Sequence, residues 1–333
     1  MTTERVVLLP EPQHQMLLQH RQVVEEAGGT IRHADLHDAA VRRAALPEAT
    51  VVVVQGHEMV DEDFAAGASL HAVCCWSDGV DTVDLEAATR HGVPVGNVPD
   101  LCIDEVADHA LMLLLACYRR LGFAYRQIHE RLPLSRYDIC DAAEPWPRLR
   151  GLTLGLLAFG NIAQAMALRC QVLGMSVIAH DPYIDPSVMH DMNVEPVEFD
   201  DLLRRSDYLS IHAPLNPNTH HLFDADALSK MKSSAFLINT ARGPIVDEAA
   251  LVAALRAGTI AGAGLDVFEV EPATHDNPLL SMPNVVTTPH HAGESDEMHA
   301  FGPEAAMNDV AHVLRGNPPR SVQNRAVLGE GGG

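Results

Sequence analysis

Arg242, Glu271 and His290 each stand just past an apolar run in the second half of the chain. Arg242 follows Ala235–Ala241 and precedes Gly243-Pro244, Glu271 follows Ala263–Phe268, and His290 ends Asn284–Pro289. Each run has the composition of a short buried strand. In open parallel sheets, ligands bind outside the carboxyl ends of the strands. A cation, a carboxylate and an imidazole delivered to that edge can polarise a carbonyl, tune a pKa and exchange a proton. Taken singly, each also has a structural reading: a surface arginine, an exposed loop acid, a satisfied histidine. Their shared position at strand ends favours chemistry.

A second set of residues has the spacing of a nucleotide site. Leu152–Leu157 reads as a strand and is followed by Ala158-x-Gly160-x-x-Ala163, where a dinucleotide fingerprint would be G-x-G-x-x-G. Gly160 is the position at which backbone approaches a pyrophosphate, and Ala163 is small enough for helix–strand packing. Ala158 stands where a tight turn prefers glycine. Asp181 ends the next expected strand about twenty residues on, where an acid meets ribose hydroxyls. No arginine follows it directly to take a 2′-phosphate, so the pattern favours NAD over NADP. The plain alternative is a βαβ unit with a helix-capping aspartate.

Two alternations of short strands and helices must position these residues. The first has strands Val6–Leu9, Val51–Val54, His71–Cys75 and Pro94–Asn97, with helices Gln13–Ala27, ended by Gly28-Gly29, and Asp84–Arg90. Ile103–Tyr118 follows as a long helix with acids near its start, suited to cross between domains. Leu132–Arg150, with three prolines, reads as a loop. The second has strands Leu152–Leu157, Ser176–Ala179 and Tyr208–His212 and the three runs above. Its helices are Ile162–Leu173, Phe199–Arg205, Ala225–Met231 and Glu248–Ala257. Such βα repeats imply a doubly wound sheet. Gly302–Leu314 reads as a final helix and Leu328–Gly333 as a disordered tail.

Bulk properties set limits. A chain of 333 residues, 47% hydrophobic, fits two domains with sizeable cores. A net charge of −22 without a basic run repels phosphate backbones and argues against nucleic-acid binding. The longest apolar stretch, Ala110–Cys117, is too short to span a bilayer. Six cysteines, several inside apolar runs and none in a C-x-x-C, read as free thiols of a reducing compartment. With a strand opening the chain in place of a signal peptide, the expected location is the cytoplasm. Histidine is abundant, but only His33 and His37 have a spacing that would place two ligands on one helical face. The pairs His220-His221 and His290-His291 are adjacent, with side chains expected to diverge. No metal site is expected.

Taken in order, Asp84-Leu-Glu-Ala-Ala, Glu105-Val-Ala-Asp-His-Ala, Asn239-Thr-Ala-Arg-Gly-Pro, Leu265-Asp-Val-Phe-Glu-Val-Glu-Pro and Thr288-Pro-His are similar to motifs of the D-isomer-specific 2-hydroxyacid dehydrogenases. Asn97-Val-Pro-Asp and Tyr118-Arg-Arg further resemble the branch with the C-terminal binding proteins. The resemblance covers nearly the whole chain. It implies an α/β protein with two doubly wound parallel-sheet domains: a flavodoxin-like substrate domain, residues 1–103 with 297–333, and a Rossmann NAD-binding domain, residues 104–296. It also implies a homodimer formed through the nucleotide domains and a small 2-keto or 2-hydroxy acid as substrate. By the same resemblance Arg242 holds the substrate, His290 is the acid/base, and Glu271 raises the His290 pKa. Ala158, Gly160, Asn161, Ile162, Asp181, His212, Thr240, Ala241, Asp266, His290 and Gly293 face the cofactor. Trp76, Ser77, Asp78 and Gly79 form the substrate loop.

Formate dehydrogenases, a related branch, lack the glutamate, so Glu271 argues against that activity. The substrate loop departs from the family pattern in Asp78, an anion where a carboxylate should dock. Two like charges ~4 Å apart repel by about 1 kcal/mol in water and more in a dry site. The plain reading turns Asp78 to solvent; the sharper one invokes an unusual substrate. Two other readings stay open: an NAD(H)-sensing binding protein of dehydrogenase-like fold, and a biosynthetic reductase of a modified acid such as a phosphonate.

Overall fold

The computed structural model describes residues 4–11, 14–130 and 147–329. The chain divides into two compact units, residues 1–102 with 294–333 and residues 103–293. Each is built on one parallel sheet.

The first unit holds β1 (Arg5–Pro10), β2 (Gly29–Ala34), β3 (Ala49–Val54), β4 (Ala72–Cys75) and β5 (Val95–Gly96) in the order β2-β1-β3-β4-β5. That is the flavodoxin-like order. β3 and β4 are buried along their whole length, which explains their continuous Val, Ala and Cys runs. β2 escapes sequence reading because it is an edge strand, half exposed and carrying Arg32 and His33. His33 therefore sits in a strand and His37 in the turn after it, so the pair shares no helical face. The expected helix Gln13–Ala27 is two helices, His14–Leu18 and Arg21–Glu26, broken where the His20 amide turns back to the Leu17 carbonyl. The last helix begins earlier than expected, Asp296–Leu314, started by the Ser295 side chain on the Met298 amide. Leu328, expected in a disordered tail, ends a short 3₁₀ helix, Arg325–Leu328.

The second unit holds β6 (Thr153–Leu157), β7 (Ser176–His180), β8 (Glu195–Pro196), β9 (Tyr208–Ile211), β10 (Phe236–Asn239), β11 (Gly262–Leu265) and β12 (Val285–Thr287). Their order, β12-β11-β10-β9-β6-β7-β8, is the Rossmann winding extended by a seventh strand. The three strands that end before Arg242, Glu271 and His290 are adjacent, and all pairings are parallel. Their apolar runs continue past the strand ends, because Thr240-Ala241, Val267-Phe268 and Thr288-Pro289 belong to loops. The helix Ile103–Tyr118 lies wholly in this unit and packs on the helix Asn161–Val172. Arg169 joins the two by pairing with Asp104 at 2.8 Å and Asp108 at 2.6 Å. Most of the Leu132–Arg150 loop lies outside the described residues.

Among the described residues, no helix is long and apolar enough to cross a membrane. None of their His, Cys, Asp and Glu side chains group as a metal site. His220 and His221 do not diverge: their rings stack at 4.0 Å, because His221 takes a left-handed φ of 51°.

Candidate active site

Parallel winding brings the loops after β10, β11 and β12 out at one edge, in register. The Asp266 amide donates to the Asn239 carbonyl and the Thr288 amide to the Leu265 carbonyl, each at 2.9 Å. Asn239 then shapes the arginine turn with its side chain. Its Oδ1 accepts the Ala241 amide at 3.0 Å and its Nδ2 donates to the Arg242 carbonyl at 2.9 Å. The Arg242 guanidinium donates to the Ala241 carbonyl at 2.7 Å. Gly243 packs backbone to backbone against Phe268: a Cβ there would lie 1.8 Å from the Phe268 carbonyl oxygen. The loops of Arg242 and Glu271 are thus docked on each other.

Glu271 and His290 form an ion pair, Oε2 to Nδ1, at 2.5 Å. The other carboxylate oxygen of Glu271 accepts the Phe268 amide at 2.9 Å. Burial pushes the Glu271 carboxyl up, but the bonds from His290 and Phe268, with the charges of His290 and Arg242, hold it below its ordinary value. The bond to Glu271 raises the His290 pKa, against burial and the nearby Arg242 charge. His290 has a left-handed φ of 53° and donates its amide to the Asp266 carbonyl at 2.7 Å. The three side chains therefore sense one another, and Nε2 is the histidine nitrogen not committed to Glu271.

Asp266 is fully buried, and its carboxylate is wrapped by the histidine loop. One oxygen accepts the Thr288 hydroxyl at 2.6 Å and the His291 amide at 3.1 Å; the other accepts the Ala292 amide at 2.9 Å. A contact to a nicotinamide amide would have to use the acceptor capacity these donors leave. Sequence reading missed this holding role, because the donors lie on another strand's loop.

The fingerprint loop follows β6. Ala158 has φ 68°, the conformation in which glycine would have been at ease. Phe159 is buried, and its amide donates to Asp181 at 2.8 Å; the Tyr183 amide donates to the other Asp181 oxygen at 2.9 Å. Asp181 thus braces the loop it was expected to accompany. Gly160 opens the helix Asn161–Val172 with no side-chain cap, and a Cβ on it would meet nothing within 4 Å. A helix start without a side-chain cap, beside open space, suits a pyrophosphate. Ala163 is fully buried under the sheet, as helix–strand packing requires. Thr240 is buried, with a hydroxyl that has no partner among the described residues. His212, past β9, bonds Ser210 through Nε2 at 2.9 Å, and burial pushes its pKa to about 4, so it is neutral at physiological pH. Ala241 and Gly293 are partly exposed beside Arg242 and past the Asp266 clasp. These features fit a bound dinucleotide.

Ala158→Gly should relieve left-handed strain of about 1–2 kcal/mol, partly offset by glycine's greater unfolded entropy. The expected result is a net gain of about 0.5–1 kcal/mol in urea unfolding. A loss of stability would mean that the alanine methyl packs favourably enough to outweigh the strain.

In the first unit, the loop after β4 is held by Asn97, whose Nδ2 donates to the Asp78 carbonyl at 2.6 Å. The Ser77 hydroxyl donates to the Gly79 carbonyl at 2.6 Å. Asp78 is exposed. Trp76, expected to face substrate, has its indole in the core against Gly302, where a Cβ would come within 2.3 Å of Nε1. Its ring is held in that packing, and its amide donates to the Val54 carbonyl at 2.8 Å, so Trp76 braces the loop from the core.

Residues 111–292 match the model of the D-isomer specific 2-hydroxyacid dehydrogenase NAD binding domain. The chain is 40% identical over 293 residues to D-3-phosphoglycerate dehydrogenase of Mycobacterium leprae, covering 86% of this chain and 52% of that protein. It thus spans about half the length of the phosphoglycerate dehydrogenases it matches. It is 36% identical to glyoxylate reductase of Korarchaeum cryptofilum, with 80% of each chain covered. Among solved structures, D-lactate dehydrogenase of Aquifex aeolicus, complexed with NAD and lactic acid, superposes with TM-score 0.83 and 26% identity, covering 94% of this chain and 96% of that one.

Proposed function

This chain belongs to the D-isomer specific 2-hydroxyacid dehydrogenase family, and we propose that it interconverts a 2-keto acid and the matching D-2-hydroxy acid with NAD(H). Residues 104–296 are assigned to the nucleotide and residues 1–103 with 297–333 to the substrate. The observation that carries this reading is the His290–Glu271 pair at 2.5 Å beside the Arg242 turn. NADH, when bound, supplies the hydride for the carbonyl carbon. Arg242 anchors the substrate's carboxylate and polarises its carbonyl. His290 gives its Nε2 proton to the carbonyl oxygen in reduction and takes it back in oxidation, while Glu271 holds Nδ1 and keeps the imidazolium populated.

For the cofactor, we assign Gly160, Asn161 and Ile162 to the pyrophosphate, with Ala158 shaping their turn, and Asp181 to the adenosine ribose. His212, Thr240, Ala241, Asp266 and Gly293 are assigned to the nicotinamide side. Ser77, Asp78 and Gly79 are assigned to the substrate's carboxylate, with Trp76 supporting the loop from the core. The exposed Asp78 side chain supports use of that loop's amides. A homodimer is supported by Leu121, Tyr125 and Ile128, which stand exposed along one face of the helix Leu121–Glu130. Sedimentation giving the mass of a single chain would remove it. The buried thiols of Cys74, Cys75, Cys117 and Cys170 support a cytoplasmic location; intermolecular disulfides in the protein isolated from its cells would contradict it.

The test is NADH oxidation against glyoxylate, pyruvate and hydroxypyruvate, with NADH binding followed separately by fluorescence. Turnover on at least one is expected. Tight NADH binding with no turnover on any would remove simple keto acids as substrates and favour an NAD(H)-sensing protein or a reductase of a modified acid.

Glu271→Gln tests the tuning role. Reduction needs His290 protonated, so activity falls as pH rises through the His290 pKa. Glu271 raises that pKa, so the variant's alkaline limb in kcat/KM should move to lower pH. The pair also contributes to stability. The His290 part is fully present below its ordinary 6.5 and is lost as pH rises through the raised value. The Glu271 part is fully present above its ordinary 4.5 and is lost as pH falls through the lowered value. An alkaline limb that stays in place would show that Glu271 does not set the His290 pKa.

A further inference from the structure

His109 lies on the helix Ile103–Tyr118, a part of the second unit that bears none of the groups assigned above. Its side chain is 11% exposed. Its Nε2 lies 2.8 Å from the Thr288 hydroxyl and 3.5 Å from the nearer Asp266 oxygen. Its ring meets the His291 ring edge-on, centroids 5.0 Å apart.

The proton inventory fixes the direction of this chain. The Thr288 hydroxyl has one proton, and at 2.6 Å from a carboxylate oxygen it donates it to Asp266. The hydroxyl can then only accept from His109, so Nε2 must carry a hydrogen. The sequence His109 N–H to Thr288 O–H to Asp266 is fully ordered, and each donor polarises the next. It ends on the carboxylate that holds the His291 and Ala292 amides and whose backbone carbonyl takes the His290 amide. His290 itself stands in a left-handed conformation that this loop must impose.

We propose that His109 is a positioning residue for the acid/base, acting through Thr288 and Asp266 to hold the His290 loop against Glu271. The proposal rests on the assignment of His290 as acid/base. The groups whose charges bear on His290 are Glu271, Arg242 and Asp266, and those on His109 are Asp266 and His291. Burial lowers the His109 pKa, so a neutral imidazole with its hydrogen on Nε2 is the form present at neutral pH.

The consequence is specific. If the clasp slackens, His290 moves off Glu271 and its pKa falls, though neither residue is altered. His109→Leu removes the donor. His109→Gln keeps a donor near the position of Nε2. Thr288→Val removes the hydroxyl between.

The decisive measurement is an NMR titration of the His290 ring in the NADH-loaded protein, with His290→Asn to assign the signal. It requires no turnover, so it stays informative if no keto acid is reduced. His109→Leu and Thr288→Val should each lower the His290 pKa, the double variant should lower it no further, and His109→Gln should restore it. Where turnover is measurable with glyoxylate, kcat should fall about tenfold in His109→Leu, with the alkaline limb displaced in parallel. A His290 pKa equal to wild type in a folded His109→Leu protein would overturn the proposal, as would additive effects of the two variants. If His109→Leu fails to fold, the comparison of Thr288→Val with Thr288→Ser decides. Only the valine variant should move the pKa, and equal values in both would overturn the proposal.

Discussion

Replacing His290 should lower kcat for keto-acid reduction by about 10²–10⁴, the range for loss of a positioned proton donor. Two variants separate chemistry from backbone. His290 holds φ 53°, so alanine removes the imidazole but also leaves a residue less at ease in that conformation. Asparagine tolerates the left-handed region and fills similar space, yet cannot supply a proton at neutral pH. Both should lose turnover to a similar degree, and the loss in kcat should exceed any loss in NADH affinity. The lost step is proton transfer to the carbonyl oxygen, so the pH dependence caused by His290 should vanish with it. Near-wild-type turnover in His290→Asn would remove this residue from the mechanism.

The second large effect comes from a residue with no chemistry. Gly243 lies against the Phe268–Glu269 backbone, and a Cβ would come within 1.8 Å of the Phe268 carbonyl oxygen, 1.9 Å of its carbon and 2.5 Å of the Glu269 nitrogen. No flexible side chain can yield, so one loop must lift off the other. Either movement separates Arg242 from the Glu271–His290 pair. Gly243→Ala should therefore cost about 3–5 kcal/mol in urea unfolding, in the range reserved for severe core clashes. Its activity should fall even at temperatures where it stays folded. A cost below about 1 kcal/mol with full activity would show that the loops part readily.

The same residues show how far pattern reading reaches. The buried strands of both sheets were legible, because a parallel strand covered on both faces is a continuous apolar run. The edge strands β2 and β8 were not, since one is half exposed and the other has two residues with a proline. The trio was legible because each member breaks such a run. The setting of Trp76 was not legible: the resemblance put it in the substrate loop, but its indole packs on Gly302, distant in sequence. Asp181 was singled out by its spacing from Gly160, while its bonds to the Phe159 and Tyr183 amides leave no trace in spacing.

By itself the sequence determined the two winding units, and it marked Gly160 at a helix start and a cation, an acid and an imidazole past three strand ends. Periodicity and residue type are local properties, and each strand announces its own end. Only the tertiary structure decided how these groups act on one another. The 2.5 Å bond that raises the His290 pKa, the closeness of Gly243 to Phe268, and the chain from His109 to Asp266 all join residues from different strands or helices. Such contacts depend on strand order and register, which place loops side by side only once the sheet is wound.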